Sequence, residues 1–365
     1  MKKERLLGID VLKIICALLI FGRHAIKSGG CHFFLGNYLM DTIIVELTGP
    51  VMILFFMMSG FSIQYAYGEK DIYAEGGVIR YYLKRIIALF PMYFFVHIVS
   101  SFFYGNDMRA VIRLIPIETI GVQAWFDSLF GFVHNGGTWF VSCLLVAYFV
   151  YPLLAQILRD MKLEIRVVIL VILVGMQIYS LYTISYFGGN IYSSPLFRTV
   201  DFTIGVVLCS IRDYVDKKFD DWIYCIISMI SAVVLCECFL NRSYWDNFLY
   251  VPLGVLLYSV ACISCKGEIF KTKIFEISTN IIGYASSLSY AFYILQCILW
   301  KPFFEILDRY PMFEENSKRG MLAFGLLFFA SLILHEVYEK PLKKVLLKCY
   351  RKCEMKKNSV AANER

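Results

Sequence analysis

The chain alternates long apolar blocks with short polar ones. Apolar runs recur at about 7–27, 41–67, 84–104, 137–158, 166–184, 196–212, 222–240, 247–264, 281–302 and 320–342. Most of them approach the roughly 20 apolar residues that a helix needs to cross a bilayer. Their pattern is that of continuous apolar helices, without the period-two alternation of half-buried strands. It predicts an all-α polytopic membrane protein of about ten transmembrane helices. One stretch breaks the rhythm. Residues 105–136 mix Arg109, Arg113, Pro116 and Asp127 with Trp125, Phe126 and Phe130, which suits an interfacial or re-entrant piece better than a further span.

Composition supports the membrane reading. Of 365 residues, 59% are hydrophobic and 18% charged, against about 25% charged in soluble globular chains, and the mean hydropathy is +0.62. The net charge of +7 does not call for a nucleic-acid partner, because the basic residues gather at the ends of apolar runs, where they set topology. With the N-terminus in the cytoplasm, the inner segments hold Lys2, Lys3 and Arg5; Lys70, Arg80, Lys84 and Arg85; Arg159, Lys162 and Arg166; Arg212, Lys217 and Lys218; Lys266, Lys271 and Lys273; and the basic run after Tyr338. Both termini are therefore expected in the cytoplasm. The first block is too long for a signal-peptide core and no small-residue cleavage site follows it, so it is expected to be retained. One membrane domain, 1–347, is expected, followed by a basic cytoplasmic tail, 348–365, lying near anionic lipid. The 12 cysteines are scattered, as small buried hydrophobes are, and form neither a disulfide framework nor a metal site.

The chemistry concentrates in the first block, IDVLKIICALLIFGRHAI, which carries Asp10, Lys13, Arg23 and His24. Ionisable groups inside a span mark functional sites. Lys13 and His24 are separated by close to three turns at about 3.6 residues per turn, so they share a face some 16 Å apart. Asp10 precedes Lys13 by three and is expected to pair with it. A second reading leaves that pair only a role in insertion, with His24 capping the outer end. Arg23 points elsewhere and can snorkel. His24 is the candidate general base, since imidazole titrates close to operating pH. Of the other histidines, His32 reads as a loop residue, His97 as a satisfied core residue and His134 as lining a mouth or packing; His335 shares no face with a charged partner as clearly.

Several further residues each admit two roles. Lys84 and Arg85 can attract an anionic substrate or anchor the inner membrane face. Arg198 and Asp201, three apart, are expected to pair, either to position substrate or to neutralise each other. Ser59 with Gly60 allows close helix approach; as a nucleophile, Ser59 has no visible base. Glu339 can pair with a basic residue at the inner end of the last span. Trp139 packs or marks an interface.

An ordered set of motifs resembles the acyltransferase family 3 integral-membrane O-acyltransferases. The family's basic residue, ten positions and histidine correspond to Lys13 and His24. FFMMSGFSI (Phe55 to Ile63), KRIIALFPMY (Lys84 to Tyr93) and GTWFVSCLLVAYFVYPLL (Gly137 to Leu154) are similar to its second, third and WFL-type spans. FRTVDFTIGVVL (Phe197 to Leu208) resembles its R-x-x-E-F-x-x-G span with Asp201 for Glu, LSYAFYILQ (Leu288 to Gln296) its SYxxYLxH segment, and YEKPLKK (Tyr338 to Lys344) its closing Y-x-E-x-P. Gln296 stands where the family often has histidine; it cannot act as a base, so no role is carried over to it. Lys13 replaces the commoner arginine and loses the bidentate fork.

The resemblance implies a multi-pass enzyme of the bacterial plasma membrane. It would move an acyl group, acetyl most often, from cytoplasmic acyl-coenzyme A to a hydroxyl of a cell-surface or exported carbohydrate, free or lipid-linked. No bound cofactor is implied; acyl-coenzyme A is the donor substrate. The expected catalytic residues are His24 and Lys13, with substrate contacts from Asp10, Ser59, Lys84, Arg85, Trp139, Arg198 and Asp201. The alternative is an exporter of a polysaccharide or small substrate, since intramembrane charges also mark transport pathways. Against it, no matched Gly/Pro-interrupted spans suggest inverted repeats.

Overall fold

The computed structural model of the chain describes residues 4–31, 38–70, 72–74, 76–104, 108–126, 129, 136–187, 191–212, 219–240, 248–263, 272–310 and 316–363. Among them every regular element is helical. The elements are α1 (Leu7–Gly29), α2 (Tyr38–Glu46), α3 (Thr48–Tyr67), α4 (Gly77–Tyr104), α5 (Met108–Ile120), α6 (Trp139–Arg159), α7 (Leu163–Phe187), α8 (Pro195–Arg212), α9 (Asp221–Leu240), α10 (Tyr250–Cys262), α11 (Lys273–Leu307), α12 (Asn316–Leu334) and α13 (Lys340–Asn363). A π-helical turn, His335–Glu339, joins the last two.

Each apolar block of the sequence falls on helix, but the helices differ in their fitness to span. Six segments are long and apolar enough to cross a membrane: Leu39–Tyr67, Gly77–Ser101, Gly136–Arg159, Leu163–Ser180, Asp221–Cys238 and Lys318–Cys353. The bent α11 makes a seventh if its two arms count as one span. α1 and α8 carry too many charges to qualify, and α10 is only 13 residues long. Of those charges Asp10, Arg198 and Asp201 are buried in the protein interior. α5 occupies part of the mixed stretch and is tied to its neighbours: Glu118 pairs with His97 of α4 at 3.0 Å, and the following Gln123 donates to Thr138 O at 3.1 Å. The basic tail is the continuation of α13.

Two contacts organise the bundle. α3 and α8 approach so closely that a Cβ on Gly60 would lie 1.9 Å from Phe202 O, and one on Gly205 1.9 Å from Met57 O. Such mutual intrusion of small residues is how helices associate where lipid removes the hydrophobic drive. α1 and α11, from opposite ends of the chain, run parallel. Arg5 Nη2 donates to Gly283 O at 2.8 Å, Ser286 Oγ to Asp10 Oδ1 at 2.6 Å, and His24 meets Gln296 at 2.8 Å. Further along, a Cβ on Gly29 would meet the Phe304 ring at 2.2 Å. Arg166 closes one end of the bundle by donating to the exposed carbonyls of Leu158 at 2.6 Å, Met161 at 3.1 Å and Ser210 at 3.0 Å, satisfying helix ends that otherwise lack partners.

Candidate active site

Two polar stations lie along the α1–α11 pair. The first is a cavity of about 300 Å³ reached by Lys13 of α1, Ser59 of α3, Arg85 of α4, Tyr148 of α6, Ser286 and Ser287 of α11, and Glu339 and Lys343. Three cations therefore face one carboxylate. Glu339 is already engaged, bonding His335 Nδ1 at 2.6 Å and pairing with Lys343. The guanidinium of Arg85 lies over Tyr67, Tyr81 and Tyr148, 5.5, 5.9 and 6.0 Å from their centroids, and its buried Nε has no hydrogen-bond partner. Arrangements of this kind, cations with hydroxyls in a low-dielectric recess, suit an anionic oxygen-rich ligand.

Asp10 does not pair with Lys13. It is held instead by Arg5, with Ser286 Oγ donating to its other oxygen at 2.6 Å, and Lys13 has no ion-pair partner among the described residues. Its ammonium is left to the cavity. Arg23 points away from both, donating from Nη1 to Val45 O at 3.1 Å, near the C-terminus of α2, where cations are favoured. Lys84 is exposed and lies off the cavity wall, a helical step away from Arg85.

The second station is His24. Its Nδ1 lies 2.8 Å from Gln296 Oε1, a contact that the tautomer with its hydrogen on Nδ1 makes as a hydrogen bond, leaving the Nε2 lone pair free. Aromatic rings wall it in: Phe21, one turn earlier, packs on Phe292, Trp300 and Phe324 with centroids 5.9, 5.5 and 5.4 Å away. Lys13 and His24 thus both face α11, one at each station.

Of the other expected site residues, Ser59 reaches the cavity, whereas Arg198, Asp201 and Trp139 lie apart from it. Arg198 and Asp201 pair at 2.6 Å, and the pair is fully occupied: Gln177 Nε2 donates to Asp201 Oδ1 at 2.7 Å and Arg198 Nε donates to Tyr192 O at 2.9 Å. Trp139 is buried against Tyr192 and Phe56, 4.8 and 6.3 Å between centroids, and touches neither station. Ser59 lines the cavity, but its hydroxyl partner at 3.0 Å is Tyr148 OH, not a base. His97 is satisfied by Glu118. His32 and His134 lie outside the described residues.

Two features escaped the sequence reading. His335 does have a charged partner on its face, Glu339, four residues on, a spacing that was visible in the sequence; what was hidden was the π turn that carries both, a device common at functional sites. Ser287 lies 3.5 Å from His335 Nε2 but donates its hydrogen to Tyr284 O at 2.7 Å, so the hydroxyl, imidazole and carboxylate do not form a working nucleophile. The second missed feature is the Gln296 contact to His24, which no local pattern links.

Six helices long and apolar enough to cross a membrane, with ionisable groups set between them, mark a multi-pass membrane protein. The chain belongs to the acyltransferase family 3: a profile described as an acyltransferase domain matches residues 6–335. It is accordingly a membrane-embedded acyltransferase. No curated protein and no solved structure matches it.

Proposed function

We propose that the protein transfers an acyl group, acetyl in the first instance, from cytoplasmic acyl-coenzyme A to a hydroxyl of a cell-surface or exported carbohydrate at the bacterial plasma membrane. The observation that carries this reading is the placement of Lys13 in a cation-rich cavity with His24 three turns further along the same helix. In this reading the chain crosses the bilayer ten times, with both termini inside, so that the Lys13 station faces the cytoplasm. Lys13, Arg85 and Lys343 hold the donor's phosphates. The extended pantetheine arm then runs along the α1–α11 seam and presents the thioester to His24, roughly 16 Å away by helical rise. His24 Nε2 takes the proton of the acceptor hydroxyl as that oxygen attacks, and Gln296 holds the ring in the required tautomer. Removing the hydroxyl proton is the step that needs a base, and positioned bases contribute typically 10²–10⁴-fold.

The test is radiolabelled acetyl transfer from acetyl-coenzyme A into membrane glycans, comparing wild type with His24→Ala at matched protein level. Label is expected with wild type and a loss of at least about 100-fold with the variant. If neither transfers label while a glycan still needs the protein to reach the surface, export replaces acyl transfer as the function of this chain.

A further inference from the structure

Two buried N–H groups on the stretch of α11 that packs against α1 lack an acceptor. Gln296 is fully buried, and while its Oε1 takes the hydrogen of His24 Nδ1, its Nε2 has no partner. Trp300, four residues on, is 6% exposed, and its indole Nε1 is likewise unpartnered. Native structures rarely leave a buried donor unsatisfied, because the group has given up water without receiving anything in return. Here two occur a turn apart on one helix. Both adjoin the α1 face that carries His24: Gln296 directly, and Trp300 through Phe21, whose ring centroid is 5.5 Å from the indole. α11 bends by 58° directly after Gln296, so the two donors come from the two arms of a bent helix. An oxygen with two lone pairs is the kind of acceptor that such donors take.

We propose that Gln296 Nε2–H and Trp300 Nε1–H bind the carbonyl oxygen of the acyl group being transferred. This rests on the acyl-thioester donor proposed above. The acceptor oxygen bonds to the carbonyl carbon while its proton passes to His24 Nε2, and the C=O π pair moves onto the oxygen held by the two N–H groups. On collapse the C=O re-forms, the C–S bond breaks, and His24 returns the proton to the departing thiolate, leaving an ester and a free thiol. Donors aimed at such a developing oxyanion act in a dry site without reorganisation. Gln296 serves at both ends of its amide: the oxygen orients the base and the nitrogen meets the substrate.

The experiment uses the full-length protein in lipid nanodiscs and two probes. One is a ketone isostere of acetyl-coenzyme A in which CH2 replaces the thioester sulfur; the other is the same molecule with CH2 in place of C=O. Wild type is expected to bind the ketone about tenfold tighter, as one to two hydrogen bonds allow. Trp300→Phe and Gln296→Leu are each expected to lose part of the ketone preference and the double variant all of it, while the carbonyl-free probe binds every variant at the wild-type affinity, which also shows that the variants are folded. Trp300→Phe should also lower kcat for acetyl transfer on the order of 10²-fold with little change in the donor KM. If Trp300→Phe keeps the ketone preference and its turnover, the carbonyl site is wrong although the donor reading stands. If neither probe binds wild type, the donor reading itself fails and this site falls with it.

Discussion

A lysine inside an apolar helix needs a counter-charge, water or a ligand, and Lys13 has been denied the nearest counter-charge. Arg5 and Ser286 take both oxygens of Asp10, which leaves the ammonium available to a ligand in the cavity it shares with Arg85 and Lys343. Lys13→Ala and Arg85→Ala are each expected to raise the donor KM on the order of tenfold with a smaller effect on kcat, since each deletes a charge-assisted contact made before the chemistry begins. The wild-type KM should rise with ionic strength, and less so in either variant; steady-state kinetics across a salt series checks both. Lys13 and His24 stood out in the sequence because charges are rare in spans. Their partners were not: helical spacing made Asp10 the natural mate of Lys13, and only tertiary structure reveals Arg5 and Ser286 as competitors. Gln296 was set aside because it cannot act as a base, yet its amide offers an acceptor and a donor together, and the acceptor is what meets His24.

At the level of elements, the apolar blocks located the helices well because lipid-facing and core-facing positions in a span are both apolar, so length and hydropathy suffice. They could say little about α5, whose place depends on Glu118 reaching His97, or about which helices touch. The α3–α8 crossing shows how much rides on such contacts. Gly205 places its missing side chain against a backbone carbonyl, not a movable side-chain tip, so Gly205→Ala must push the two helices apart. Overpacking of this kind costs typically 1–3 kcal/mol, and a backbone collision sits at the upper end. The expected outcome is a lowered midpoint of thermal unfolding in detergent, with lost α3–α8 packing, whereas Gly325→Ala, which meets nothing within 4 Å, should leave it unchanged. Arg198 and Asp201 belong to the same element-level logic. Their motif spacing was visible, but only the ring of partners from Gln177 and Tyr192 shows a closed pair that holds α7 and α8 together.

For the whole molecule, the parallel run of α1 and α11 fixes the relative sense of the two ends of the chain. A parallel pair requires an odd number of crossings between its members, which the bundle supplies if α3, α4, α6, α7, α8, α9 and α10 each cross. A green fluorescent reporter fused after Arg365 should then fluoresce, and an exported phosphatase fused there should stay inactive; the reverse result would move the C-terminus outside and turn the Lys13 cavity away from a cytoplasmic donor. The basic residues had already suggested this sense, whereas the pairing of first and eleventh helices was invisible, because residues that meet in it are far apart in sequence.

That separation has a temporal side. His24 and Gln296 are 272 positions apart, so the two arms of the seam leave the ribosome far apart in time. The helix bearing Lys13 and His24 is made well before α11 and waits, while the helices between them are built, until α11 slides in alongside. A nascent chain therefore lacks the His24–Gln296 contact until α11 is made, and a premature stop before Gln296 leaves that imidazole without its partner.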